Sequence, residues 1–170
     1  MVAIRFQAGL PLPEGRPRNA LQTLLLMFIH DISILRGLFG KPLTCEDASI
    51  ATDGWSITGR IVLPGGEPCL FGVSEYGLLK INYFEESLTI VGENGVLRLN
   101  FGDANTPGGG LTTVEQVTVG TKEFVSDTYL LEWQAFHRAV TTRRVEHNSG
   151  EEGQADLTLA WEIARKGLNK

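Results

Sequence analysis

A chain of 170 residues with 42% apolar and 21% charged side chains has the composition of one globular domain, which excludes a disordered or fibrous protein. The net charge of −5, with no basic cluster beyond Arg143 and Arg144, argues against nucleic acid and against a membrane surface as partners. Cys45 and Cys69 have no Cys-x-x-Cys spacing and no secretory signal opens the chain, so both read as small core residues of a reduced, cytoplasmic protein.

In chain order, Val2–Ala8 alternates apolar and polar and reads as a first strand. Residues 9–18, with three prolines and two glycines, form a loop. The next stretch organises the rest. It opens at a polar N-cap near Asn19 and stops at Gly40, with Pro42 beyond, so residues 19–39 are expected as one continuous α-helix. At 100° per residue, Asn19, Gln22, Thr23, His30, Ser33 and Gly37 share one narrow stripe, and nearly everything else is apolar. Such a helix is buried on most of its circumference. A membrane span is the rival reading, but the unbroken apolar run Leu24–Ile29 is far shorter than the ~20 residues a bilayer needs.

Short strands follow, at residues 41–50, 55–63, 69–76, 80–84, 87–91, 96–101 and 114–119, separated by turn signals at Asp53-Gly54, Pro64–Gly66 and Asn94-Gly95. Two helices close the chain. Tyr129, Trp133, Phe136 and Val140 make an apolar stripe behind a cap among residues 126–128. Ser149 and Glu152 form a capping box, and the helix they start shows Leu157, Ala160, Trp161 and Ala164 on one side before ending at Lys166-Gly167. Strands joined by tight turns, with helices before and after, imply an α+β fold. The expected architecture over residues 1–170 is one domain with an open, mostly antiparallel sheet and its helices packed on one face.

His30 is the chemical candidate. It is either a boundary histidine satisfied by its surroundings or a general acid/base on the polar stripe of the helix. Asp31 points about 100° away from it, so the pair is no preformed dyad. His137 and His147 read as structural or solvated, and no two histidines share metal-ligand spacing, so no metal is expected. The glycine clusters sit in turns, not between a strand and a helix, and no Gly-x-Ser-x-Gly elbow is present.

Residues Ile29–Pro42 resemble the helix motif of the Gfo/Idh/MocA oxidoreductases that reads roughly giHdiDlLrwlfGkP. Leu88–Leu99 resembles that family's hairpin, and Leu131–Val140 with Asp156–Ala160 its closing helix pair. The resemblance implies the family's C-terminal domain, with substrate contacts on the helical side of the sheet and a homo-oligomer through the other face. It implies a Rossmann nucleotide-binding domain as partner, in cis or in trans, bringing NAD or NADP and the family's lysine. The matched residues contain neither a cofactor site nor a metal site. His30 falls at the family's proton-transfer position, and His30 and Ser33 are the candidate substrate contacts. The carboxylates that flank the histidine in the family are replaced by Leu26 and Ser33. The function implied is the substrate-binding and oligomerisation domain of a sugar or polyol dehydrogenase, inactive alone. The alternatives are a non-catalytic module that dimerises through its sheet or binds a small ligand, and, last, an autonomous isomerase or lyase.

Overall fold

The computed structural model describes residues 14–74, 86–93, 95–101, 110–116, 120–126, 128–145 and 149–169. The strands expected at residues 2–8 and 80–84 lie outside them. The chain forms two compact units, Met1–Lys80 with Asn148–Lys170, and Ile81–His147. Both fit the expected α+β class, with antiparallel pairing throughout their described strands.

The first unit carries a three-stranded sheet ordered β1 (Thr44–Ile50), β2 (Ser56–Val62), β3 (Pro68–Ser74). Helices α1 (Arg16–Phe39) and α3 (Gly150–Leu168) pack with it. Ile57 and Ile61 of β2 alternate inward and are fully buried, as period-2 patterning requires. The Asp53-Gly54 turn follows the sequence; Gly54 has φ 82°, and a Cβ there would strike the Arg16 carbonyl oxygen.

Helix α1 starts earlier than the sequence suggested. Gly15 precedes it and Pro17 occupies its first turn, where a missing amide proton costs nothing. Asn19 is therefore not the cap; it lies within the helix, and its carboxamide donates to the Asp53 carbonyl at 2.7 Å. Arg16 extends the tie, donating to the carbonyls of Ile50 at 2.8 Å and Ala51 at 3.1 Å. Gly40, with φ 83°, ends the helix as expected.

The helix is unbroken but not uniformly α: Leu24–Phe28 winds as a π segment. The buried positions explain why. Ala20, Leu24, Phe28, Ile32 and Arg36 are all buried, at strict spacings of four. At 100° per residue such a ladder drifts 40° per step, about 160° in all, and would carry Arg36 off the core-facing side. One wider π turn takes back about 100° of that drift. The same unwinding splits the expected polar stripe. Thr23 is fully buried, while His30 is exposed.

Length and composition alone would let α1 cross a membrane. A core helix passes the same test, and here Leu24, Phe28, Ile32 and Leu35 are buried, with Phe28 stacked on Phe71 of β3 at 4.6 Å. The Thr23 hydroxyl is buried with no hydrogen-bond partner among the described residues. A buried hydroxyl left unpaired carries its desolvation cost uncompensated. Thr23→Val, which keeps the shape, is expected to raise stability by about 1 kcal/mol, read as an increased melting temperature.

Helix α3 opens with the expected capping box, Glu152 N–H donating to Ser149 Oγ at 3.2 Å and Ser149 N–H to Glu152 Oε2 at 3.0 Å. Its buried face differs from the expected one: Asp156, Leu159, Ala160, Ile163, Ala164 and Gly167 point inward. Leu157 and Trp161 are 53% and 61% exposed. Gly167 does not end the helix but lies inside it, where an added Cβ would meet the Ile50 side chain at 2.6 Å. Only glycine lets α3 approach β1 this closely.

The second unit holds β4 (Glu86–Gly92), β5 (Gly95–Phe101), β6 (Gly110–Gln116) and β7 (Gly120–Ser126) in sequential order, followed by α2 (Thr128–Thr142). Strands β4 and β5 pair as the hairpin expected at Asn94-Gly95 requires. Gly92 pairs with Gly95, so Gly95 belongs to β5. The last strand expected from the sequence lies at residues 114–119, so β7 at Gly120–Ser126 is a strand that reading does not contain. Helix α2 forms where expected, but Trp133, Phe136 and Val140 are 67%, 60% and 59% exposed among the described residues.

Candidate functional site

Arg36 is the one cation in the apolar stretch 24–39 of α1 and is 9% exposed. A buried guanidinium must be paired, and α3 supplies the partners. Arg36 Nε donates to Asp156 Oδ1 at 2.8 Å and Nη2 to Oδ2 at 2.9 Å, a bidentate pair with Asp156 itself 4% exposed. Nη1 reaches Glu152 Oε1 at 3.2 Å. The hydrogen bond to Asp156 first, and the charges of Asp156 and Glu152 after it, hold the guanidinium above the ordinary arginine range against the pull of burial. Ser33, one turn before Arg36, donates its hydroxyl to Asp156 Oδ2 at 2.6 Å. The capping box, the ion pair and Ser33 thus form one connected network between two helices.

Above that network lies a groove of about 520 Å³, walled on one side by Ile29, His30 and Ser33 of α1 and on the other by the first two turns of α3. The structure brings both sequence-predicted residues to it. They differ in freedom. The Ser33 hydroxyl is committed to Asp156, whereas the exposed His30 imidazole has no hydrogen-bond partner among the described residues. Gly150 and Gly153 line the α3 wall, with open space where a Cβ would be. Both have ordinary helical backbone, so Gly153→Ala is expected to stabilise the chain by about 1 kcal/mol, the helix-propensity difference, measured by urea denaturation.

Arg36 and Asp156 are the members sequence reasoning missed. Their signals were present: a lone charge at the end of a four-spaced apolar ladder, and an aspartate among Leu159, Ala160 and Ile163 on the inward side of α3. His137 lies elsewhere, in a depression of about 430 Å³ lined by α2 residues alone, including Trp133 and Arg138. With no second wall among the described residues, that depression has less capacity to orient a ligand than the groove. Among the described residues no three His, Cys, Asp or Glu side chains are placed to hold a metal ion. Cys45 is buried and Cys69 partly so, with burial pushing the Cys69 thiol up.

No protein-family model matches the chain, and no curated protein matches it by sequence. Solved structures do match its fold. KijD10, a 3-ketoreductase from Actinomadura kijaniata in complex with NADP, aligns with a TM-score of 0.59 at 15% identity over 81% of this chain and 45% of that one. A KijD10 variant in complex with TDP-benzene and NADP gives 0.57 at 18% identity over 85% and 46%. A candidate oxidoreductase from Erwinia carotovora atroseptica gives 0.60 at 14% over 83% and 46%. The chain therefore spans less than half the length of these proteins while most of it is matched by them: its fold is like part of an oxidoreductase fold.

Proposed function

We propose that this chain is the substrate-binding and oligomerisation part of an NAD(P)-dependent oxidoreductase of the Gfo/Idh/MocA type, acting on a sugar or polyol. The observation that carries the reading is the groove, with an exposed imidazole on its rim and a floor held rigid by Arg36, Asp156 and Ser33. The likeness of fold to an NADP-bound 3-ketoreductase supports it. A base at the rim takes the proton of a substrate hydroxyl as its carbon is oxidised, and His30 is placed for that task. The described strands pair antiparallel, unlike the parallel βαβ units of a dinucleotide-binding fold. The nucleotide enters this reading with a Rossmann domain, in cis or in trans. Homo-oligomerisation through a sheet face and a cytoplasmic setting without nucleic acid or membrane complete the proposal.

The second reading, a non-catalytic sheet-dimerising or small-ligand-binding module, has its own support. Leu26 and Ser33 flank His30 where a carboxylate would orient it, and the Ser33 hydroxyl is already engaged. The test is oxidation of a panel of sugars and polyols by the full chain with its nucleotide-binding partner, followed by nicotinamide absorbance. Turnover of any member supports the oxidoreductase. A partner that binds nucleotide without turning over any member, with a sheet-paired dimer in light scattering, supports the module.

A further inference from the structure

Hydrogen-bond commitments decide which groups of the groove remain for a ligand. Arg36 is the one cation among the side chains lining it, apart from the imidazole, and its guanidinium is held by Asp156, Glu152 and a 3.5 Å contact to Ser33. Four of its five N–H groups are engaged, which leaves no bidentate fork for a carboxylate or phosphate. Ser33 donates the hydrogen bond of its hydroxyl to Asp156, and Ser149 Oγ accepts from the Glu152 N–H as the cap of α3. Two side chains on opposite walls have no hydrogen-bond partner at all among the described residues. His30 projects from α1, and Gln154 from α3 is exposed, its carboxamide without a partner among the described residues. An imidazole and a carboxamide each offer a donor and an acceptor. That pairing matches hydroxyl groups, which both give and take a hydrogen bond.

We propose that Gln154 is the substrate-recognition partner of His30, and that the groove selects an uncharged hydroxylated ligand over its anionic counterpart. The inference rests on the groove being the substrate site. It names a contact on α3 that the sequence did not single out, and it assigns Ser33 to the floor instead of to the ligand.

D-Glucose and D-glucuronate differ by one carboxylate and serve as probes, titrated into the full chain by calorimetry. Wild type is expected to bind glucose on the order of tenfold more tightly than glucuronate, since the nearest fixed charges are carboxylates and their counter-cation is engaged. Gln154→Ala is expected to weaken glucose binding five- to tenfold, roughly one hydrogen bond, with an unchanged melting temperature because the side chain is exposed. Ser33→Ala should weaken it less than Gln154→Ala does. Glucose binding that Gln154→Ala leaves intact, or glucuronate bound as tightly as glucose, overturns this inference while the groove stands as the site. A Cβ at Gly153 meets nothing within 4 Å, so Gly153→Leu directs a side chain toward the open wall of the groove. Binding indifferent to Gly153→Leu, or no binding of either sugar, removes the groove as the substrate site and the inference with it.

Discussion

Asp156→Ala is expected to cost about 3–5 kcal/mol of folding stability, more than any other single side-chain truncation proposed for this chain. The reason is not the value of the ion pair itself. Bringing a guanidinium and a carboxylate out of water is expensive, and their attraction does little more than offset it. Removing one partner is another matter. Without Asp156, Arg36 keeps its burial and loses both bonds of its bidentate contact, retaining Glu152 at 3.2 Å and a long contact to Ser33 at 3.5 Å. The Ser33 hydroxyl loses its acceptor in the same step. Urea denaturation measures the loss as a lower midpoint. The paired replacement Arg36→Met with Asp156→Leu separates the two contributions, since it removes both charges and is expected to recover most of the stability. If it also leaves the groove unable to bind a sugar, the pair is kept for the floor it fixes and not for the free energy it supplies.

His30→Ala is expected to lower turnover of the assembled oxidoreductase by about a hundredfold, the usual scale for a group that transfers a proton in the transition state. Stability should barely change, because the imidazole is exposed and makes no hydrogen bond among the described residues. This combination distinguishes a catalytic from a structural histidine. A rate within twofold of wild type would make His30 a surface residue of the groove, and the proton would then pass to a group on the nucleotide-binding side.

Much of this arrangement was legible in the sequence, and the parts that were not share a cause. The capping box at Ser149 and Glu152, the Gly54 turn and the Gly40 stop are local: each follows from backbone groups within a few residues. The position of His30 on an exposed side of α1 also came through. What failed was the assumption of one fixed angle per residue along α1. A single π turn moved Thr23 into the core, and the four-spaced ladder of Ala20, Leu24, Phe28, Ile32 and Arg36 was the signal for it. The other losses are long-range. Arg36 and Asp156 are 120 residues apart in the chain, so their pairing becomes visible only once α3 packs against α1. The inward face of α3 was likewise misjudged, because Trp161 is apolar by composition yet 61% exposed.

One measurement bears most directly on the claim that the α1–α3 groove is the substrate site. The chain has three histidines, and their ring protons can be followed individually by NMR while myo-inositol, D-xylose or D-glucose is titrated in. The account predicts a saturable shift of the His30 ring with at least one of these, a still His137 ring, and loss of the His30 response in Gly153→Leu. A shift at His137 with His30 unmoved, or no shift at any ring with any of the three, would contradict it.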